Sequence, residues 1–294
     1  MDIGIGLPSA ITGTSRKQLT DWARASEDAG FSTLGTIDRV VYGNYEPIVA
    51  LTTAAAVTDR IRLATDVMLG PLRQNPALVA KQVLSLDALA GGGRAVLGLG
   101  AGGRADDYEI SDVDMSTRGQ WLDNAIRRIH AIWHGDGELE SKVGPRPEND
   151  GPTLLVGGFA DAAFERAARF GYGWTQGGSG PDQFAEDAAK LEEAWKEHGR
   201  EGKPFKMALI YFSLGDEAES NAERYLLDYY AWLGEEIAVG IVAGAAKDRE
   251  SVKAAIDAYE AKGCDELICF PCSPDVEQVT LLAEAANVAQ PSAA

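Results

Sequence analysis

Ala29-Gly30-Phe31-Ser32-Thr33-Leu34-Gly35-Thr36-Ile37 is the stretch that decides the fold. A helix whose apolar positions include Leu19, Trp22, Ala23 and Ala29 stops at a glycine, and a short apolar strand begins at once. That is the αβ half of a βαβ unit. Working outward, residues 3–7 read as a preceding strand ended by Pro8, and the same alternation then repeats along the chain. Residues 47–57 predict a helix, 61–69 a strand, 76–89 a helix and 95–99 a strand after the Gly91-Gly92-Gly93 break. An amphipathic helix follows over 118–133.

Residues 135–152 are polar and rich in Gly, Pro and charge, and they read as an excursion within one domain spanning 1–294. The alternation resumes with strands at 153–156, 172–175, 206–214 and 265–270, and with helices at 161–170, 181–198, 218–233, 249–262 and 275–289. A less periodic Gly/Ala-rich region lies between 233 and 249. Strands that alternate with helices imply a parallel sheet with right-handed crossovers. Eight such units in 294 residues predict a closed (β/α)8 TIM barrel rather than a doubly wound sheet. Functional groups are then expected just after the strand C-termini.

Composition narrows the partners. Lys and Arg total 27 against 45 Asp and Glu, a net charge of −18, which excludes a phosphate-tracking nucleic-acid surface and disfavours an anionic membrane. No apolar run approaches a membrane span, and the N-terminus lacks a basic region followed by a long apolar stretch, so a cytoplasmic protein is expected. Cys264, Cys269 and Cys272 are three in number and crowded together, a distribution that predicts reduced structural thiols. His130 and His134 have the i, i+4 spacing of a zinc pair, but Ala131 stands where a metalloprotease carries its base. No metal site is expected.

The loop-by-loop candidates are carboxylates and glycines. Asp38, straight after the second strand, either faces a ligand at the barrel mouth or caps its loop and pairs with Arg39. Asp66 interrupts the apolar second half of strand three, where a charge is costly unless paired or functional. Gly98-Leu99-Gly100-Ala101-Gly102-Gly103 satisfies G-x-G-x-x-G, yet it lies mid-chain before a very polar segment, so it is not a dinucleotide fingerprint. Its glycines instead let backbone amides approach a flat group or an anion. Gly157-Gly158 and Gly177-Gly178 repeat the pattern before helices, whose N-termini bind anions without Lys or Arg. No Ser-His-Asp arrangement or catalytic imidazole can be assembled from three His, which points to cofactor-borne chemistry.

Several segments together resemble the luciferase-like family of flavin- and deazaflavin-dependent oxidoreductases, including its methylenetetrahydromethanopterin reductase-like branch. They are Ala29-Gly30-Phe31, Thr58-Asp59-Arg60-Ile61-Arg62-Leu63-Ala64-Thr65, Asn75-Pro76-Ala77-Leu78-Val79-Ala80-Lys81-Gln82, and Gly92-Gly93-Arg94-Ala95-Val96-Leu97-Gly98-Leu99-Gly100 with Gly102. Leu155-Val156-Gly157-Gly158 and Gly171-Tyr172-Gly173-Trp174 continue the match along nearly the whole chain. The resemblance implies a reduced isoalloxazine-type ring bound at the C-terminal mouth and a non-prolyl cis peptide at Asp66-Val67 beneath it. It places Asp38 facing the ring, with Ala101, Gly102, Gly157 and Gly158 along the cofactor chain and phosphate, and Gly177 and Gly178 as a further addition. Deazaflavin dehydrogenases of the family often carry a His directly after the strand-two carboxylate, where this chain has Arg39.

The leading expectation is a luciferase-like monooxygenase using reduced FMN, delivered by a separate flavin reductase, and O2 on a small organic substrate. The runner-up is an F420 (deazaflavin)-dependent enzyme doing hydride transfer, and the third reading is a non-catalytic flavin-binding protein. No catalytic acid or base is assigned. Apolar surface on the second and third helices, along residues 50–57 and 78–89, predicts a homodimer.

Overall fold

The computed structural model describes residues 1–147 and 151–289, so residues 148–150 of the predicted excursion and 290–294 at the C-terminus lie outside the described residues. Eight parallel strands pair in chain order: β1 (Asp2–Gly6), β2 (Thr33–Thr36), β3 (Arg62–Leu69), β4 (Ala95–Gly100), β5 (Thr153–Gly157), β6 (Gly173–Gln176), β7 (Phe205–Phe212) and β8 (Glu266–Pro271). The barrel closes where β8 returns to β1, with Asp2 opposite Glu266 and Ile5 opposite Cys269. The predicted (β/α)8 barrel is the fold.

Local chemistry sets the outer ring of helices. The helix α1 (Arg16–Ala29) starts at a Ser15–Gln18 capping box and ends on Gly30 in the left-handed conformation. The helices α2 (Pro47–Ala55) and α3 (Pro76–Leu89) carry proline in the first turn, with Glu46 and Asn75 accepting the free amides. After β4 come α4 (Ala105–Ile110) and α5 (Arg118–His134); after β5 and β6 come α6 (Asp161–Phe170) and α7 (Pro181–Glu197). The β7–β8 connection holds α8 (Ala218–Tyr229), α9 (Glu235–Gly244) and α10 (Arg249–Ala261), and α11 (Glu277–Ala286) follows β8.

Strand alternation divides most of the apolar residues into two clusters, with a third, smaller one around Leu69, Leu72 and Tyr108. Outward side chains such as Leu34, Leu63, Leu97 and Trp174 pack against Trp22, Leu51, Val83, Ile126 and Phe184 of the helices. Inward side chains, among them Leu155, Met207, Ile268 and Phe270, fill the barrel. Two buried carboxylates organise the turns that lead into strands. The Glu27 carboxylate accepts the N–H groups of Asp59, Arg60 and Ile61, and that of Asp87 accepts those of Gly93, Arg94 and Ala95. Burial works against the charge on Glu27, but the three amides outweigh it and hold the carboxyl below its ordinary range.

Two helices depart from the sequence reading. Helix α9 occupies the region that read as less periodic, because its glycines and its exposed Ile237 and Val239 leave only Ala238 and Val242 buried, so no apolar stripe marks it. Helix α4 is a six-residue polar turn over the mouth of the barrel, too short for a periodic signal. Cys264, Cys269 and Cys272 are buried free thiols, each pushed up to about 12 by burial. His130 and His134 stack on each other on α5 in the outer ring. No helix among the described residues is long and apolar enough to cross a membrane.

Candidate functional site

The C-terminal ends of the strands open on a cavity with two lobes, of about 210 Å³ and about 490 Å³. The lobes share Asp66, Val67, Gly102, Gly103, Gly177 and Trp232, so they are parts of one mouth rather than separate sites. The smaller lobe is bounded by Asp38, Arg39, Arg104, Asp107 and a wall of tyrosines. The larger one runs over Gly100, Ala101, Gly157, Gly158 and Phe159 to the first turns of α6.

Eight of the nine residues singled out from the sequence therefore come together here: Asp38, Asp66, Val67, Ala101, Gly102, Gly157, Gly158 and Gly177. Gly178 is absent from both walls, and a Cβ there would stand 3.3 Å from the side chain of Leu209, which lines the smaller lobe. The Asp66–Val67 peptide is cis, at the position the resemblance implies. Val67 also explains part of the glycine pattern. A Cβ at Gly100 or Gly157 would stand 2.7 Å or 2.6 Å from the Val67 side chain, so these two glycines serve the packing of β3 against β4 and β5. At Gly177 the nearest atom to a Cβ is 3.5 Å away, and there the missing side chain leaves open wall.

Asp38 does not pair with Arg39. Its Oδ2 accepts the Leu69 N–H at 2.9 Å and an Arg73 guanidinium N–H at 2.6 Å, which ties the loop after β2 to the end of β3. Burial pushes the Asp38 carboxyl above its ordinary range, while Arg73 and the Leu69 amide pull it back. Arg39 turns the other way. It donates to the carbonyls of Tyr229 and Val41, lies 3.5 Å from Asp107, and sits over the rings of Tyr42 and Tyr229 at 5.0 and 5.1 Å. Asp107 on α4 accepts the Val40 and Val41 amides, so the short helix is latched to the loop after β2.

Asp66 is the outlier of the site. It is 4 % exposed; its Oδ1 accepts the Thr175 hydroxyl at 2.7 Å, and its Oδ2 has no partner. Burial raises its carboxyl to about 7, the Thr175 hydrogen bond acts in the opposite direction, and the charge of Glu266 lower in the barrel adds to the rise. The tyrosine wall is inert by comparison. Burial holds Tyr211 and Tyr229 well above the ordinary phenol range and puts Tyr230 at about 12, so all three are neutral donors. The sequence reading missed this wall, although Tyr225 and Tyr229 are one helical turn apart and Tyr230 follows directly. It also missed Arg73 and Thr175, which enter from loops and strands far along the chain.

These walls fit a flat ring system with an anionic chain. A glycine-lined slot with an orphaned carboxylate oxygen at its floor leads to the N-terminus of α6, where no side chain caps the free amides and Arg166 stands one turn in.

The model of the luciferase-like monooxygenase family matches residues 1–267. An uncharacterized protein of Mycobacterium tuberculosis is 36 % identical over 219 residues, 64 % of this chain and 74 % of the relative. An F420-dependent glucose-6-phosphate dehydrogenase of Kineococcus radiotolerans is 29 % identical over 227 residues, 70 % of this chain and 67 % of that one. The pyrimidine monooxygenase RutA of Variovorax paradoxus is 27 % identical over 225 residues, 69 % and 60 % of the two chains. Among solved structures, an F420-dependent secondary alcohol dehydrogenase superposes with a TM-score of 0.83 over 98 % of this chain and 99 % of its own at 17 % identity, which speaks to the fold.

Proposed function

The chain belongs to the luciferase-like monooxygenase family, and from that premise we propose that it is an F420 (deazaflavin)-dependent oxidoreductase that moves a hydride between the ring and a small organic substrate. The observation that carries this reading is the open rim. Phe159 and Trp232, which border the larger lobe, are 53 % and 43 % exposed, and Gly177 and Gly178 beside them are exposed as well. Oxygen chemistry on a reduced flavin needs a site closed to water, whereas hydride transfer between stable partners does not. The relative from Kineococcus radiotolerans, named as F420-dependent and matched over 70 % of this chain, points the same way.

When bound, the deazaflavin supplies a two-electron hydride acceptor and donor. The protein orients it. Val67, Ala101 and the backbone at Gly102, Gly157, Gly158 and Gly177 would line the ring's slot, with open wall at Gly177. The uncapped amides of α6 and the Arg166 guanidinium would hold the phosphate of the cofactor chain. The Asp38–Arg73 pair fixes the end of β3 and hence the floor, and the neutral tyrosines close the substrate side. The substrate is small, since the lobe they border is the smaller of the two.

A fluorescence titration of the protein with F420 and with FMN, each oxidised and reduced, tests the reading. F420 is expected to bind with a Kd in the micromolar range or below, about −8 kcal/mol, without oxygen uptake. Binding of reduced FMN alone, with oxygen consumption, makes the chain a monooxygenase fed by a separate reductase; no binding of either makes it a non-catalytic relative.

We further propose a homodimer through α2 and α3, because Val49, Leu78 and Leu89 stand exposed there, at 62 %, 51 % and 71 %. Light scattering at micromolar protein is expected to give twice the chain mass; a monomer mass overturns it.

A further inference from the structure

We propose that the N-terminal pole of the barrel, at the end away from the mouth, holds a second binding site whose ligand is a small primary alkylammonium ion seated on the Glu266 carboxylate. A cavity of about 210 Å³ lies there, and it shares no lining residue with either lobe of the mouth. Thr33, Arg62, Thr153, Phe205 and Glu266, the first residues of β2, β3, β5, β7 and β8, surround it. Tyr172 at its rim is 59 % exposed, and Arg62 and Thr153 are half-buried, so the cavity opens to solvent.

Charged groups at this end of such a barrel ordinarily serve stability. Glu266 does so with only half of its carboxylate. It is 2 % exposed, and its Oε1 accepts the Ser32 hydroxyl and, at 3.1 Å, an Arg62 guanidinium N–H. Its Oε2 accepts no hydrogen bond among the described residues and, unlike the sealed Oδ2 of Asp66, is not cut off from the cavity that Glu266 lines. A carboxylate oxygen held this deep calls for a donor. Glu266 is also the charge that adds to the rise of the Asp66 carboxyl, so a cation seated here is felt at the mouth.

Charge selects the ligand's sign. The Arg62 guanidinium also donates to Asp2 at 2.8 Å, so two carboxylates share one cation and a negative charge is left over. The neighbouring Lys206 and the N-terminal ammonium are taken up by Glu192 and Glu260. An anion is therefore repelled. A metal ion is unsuited as well, because no group of three or more metal-ligating side chains occurs among the described residues. A primary ammonium fits: it is a compact cation with three donors, one for Oε2 and another for the Thr153 hydroxyl in the lining. The inner wall is apolar, made by Ala64, Val96, Leu155 and Met207, and it takes a short hydrocarbon chain. At the rim the rings of Tyr172 and Phe205 stand 5.7 Å apart, faces on which a cation is favoured as it enters. The volume limits the ligand to a few heavy atoms, about the size of n-butylammonium.

Methyl NMR of the full chain labelled at methionine tests the site without turnover. The chain has four methionines, and of these only Met207 lines the cavity. At constant ionic strength, n-butylammonium chloride is expected to shift the Met207 methyl resonance, assigned with Met207→Leu, with a Kd of about 1 mM or below. n-Butanol keeps the chain but not the charge, and it should bind at least ~10-fold more weakly. Glu266→Gln should weaken n-butylammonium by the same factor, while its amide oxygen still accepts from Ser32 and Arg62 and keeps the pole assembled. Val96→Phe fills the apolar end, leaves every charge in place and should also weaken binding at least ~10-fold. A Met207 resonance that does not move by about 50 mM n-butylammonium overturns the site. Equal binding of n-butanol overturns the ammonium class. Undiminished binding in both variants puts the ion elsewhere on this acidic chain and overturns the site too. The cofactor reading of the mouth is untouched by any of these results.

Discussion

Replacing Arg73 by methionine is expected to destabilise the protein by about 3–5 kcal/mol near neutral pH, the range for removing one partner of a buried ion pair. The Asp38 side chain is 2 % exposed and that of Arg73 is 20 % exposed, so the contact is shielded from solvent and its loss leaves a carboxylate in an apolar mouth. Only the Leu69 amide then remains to Asp38, and that amide belongs to the strand end that follows the cavity floor. Arg73 also reaches Glu46 at 3.1 Å, but Glu46 is more exposed and contributes little. The loss should shrink on acidification. Burial already holds Asp38 above its ordinary range, so without Arg73 it takes a proton more readily in the folded state than in the unfolded chain. The variant's deficit is therefore largest above that raised pKa and falls as the carboxyl becomes neutral. Urea unfolding of the wild type, Arg73→Met, Asp38→Asn and the double variant measures it. The double variant should recover most of the loss, and a deficit below about 1 kcal/mol in the single variant would show the pair to be dispensable.

The barrel was legible because its signals are local. Gly30, Pro47 and Pro76 each punctuate a helix within one turn of its end, and the strands between them are short apolar runs. Asp66 was legible for a similar reason, since a charge within Leu63-Ala64-Thr65-Asp66-Val67-Met68 has no local explanation. What was hidden depends on contacts across the fold. Asp38 offered Arg39 as its neighbour in sequence, but its partner is Arg73, 35 residues on, because strand β3 brings that loop over the mouth. Thr175 is 109 residues from Asp66 and meets it only across the barrel. The glycines carried a mixed signal. Gly100 and Gly157 are demanded by Val67 and would be needed without any ligand, whereas Gly177 has no such neighbour. A glycine-rich loop in sequence does not separate these two causes.

Replacing Asp66 by asparagine is expected to stabilise the protein, and to do so only as the pH rises. In the unfolded chain the carboxyl loses its proton around its ordinary value of 3.8, whereas in the fold it keeps the proton to about 7. Between these values the native state binds a proton that the unfolded state has lost, so wild-type stability falls as pH increases and levels off above the folded pKa. Asparagine has no such dependence. At about 1.36 kcal/mol per pH unit, the advantage of the variant grows by roughly 3 kcal/mol between about pH 4.5 and about pH 8. The two proteins differ at this one carboxyl, so the pH dependence of the difference reports on Asp66 and on its coupling to Glu266. Chemical denaturation at the two pH values provides the measurement, and an advantage that does not change with pH would mean that Asp66 ionises as an ordinary surface carboxylate. A stabilising substitution of this size at a buried site is what a residue retained for chemistry leaves behind. The same burial that costs the fold stability at neutral pH sets the carboxyl within reach of both protonation states.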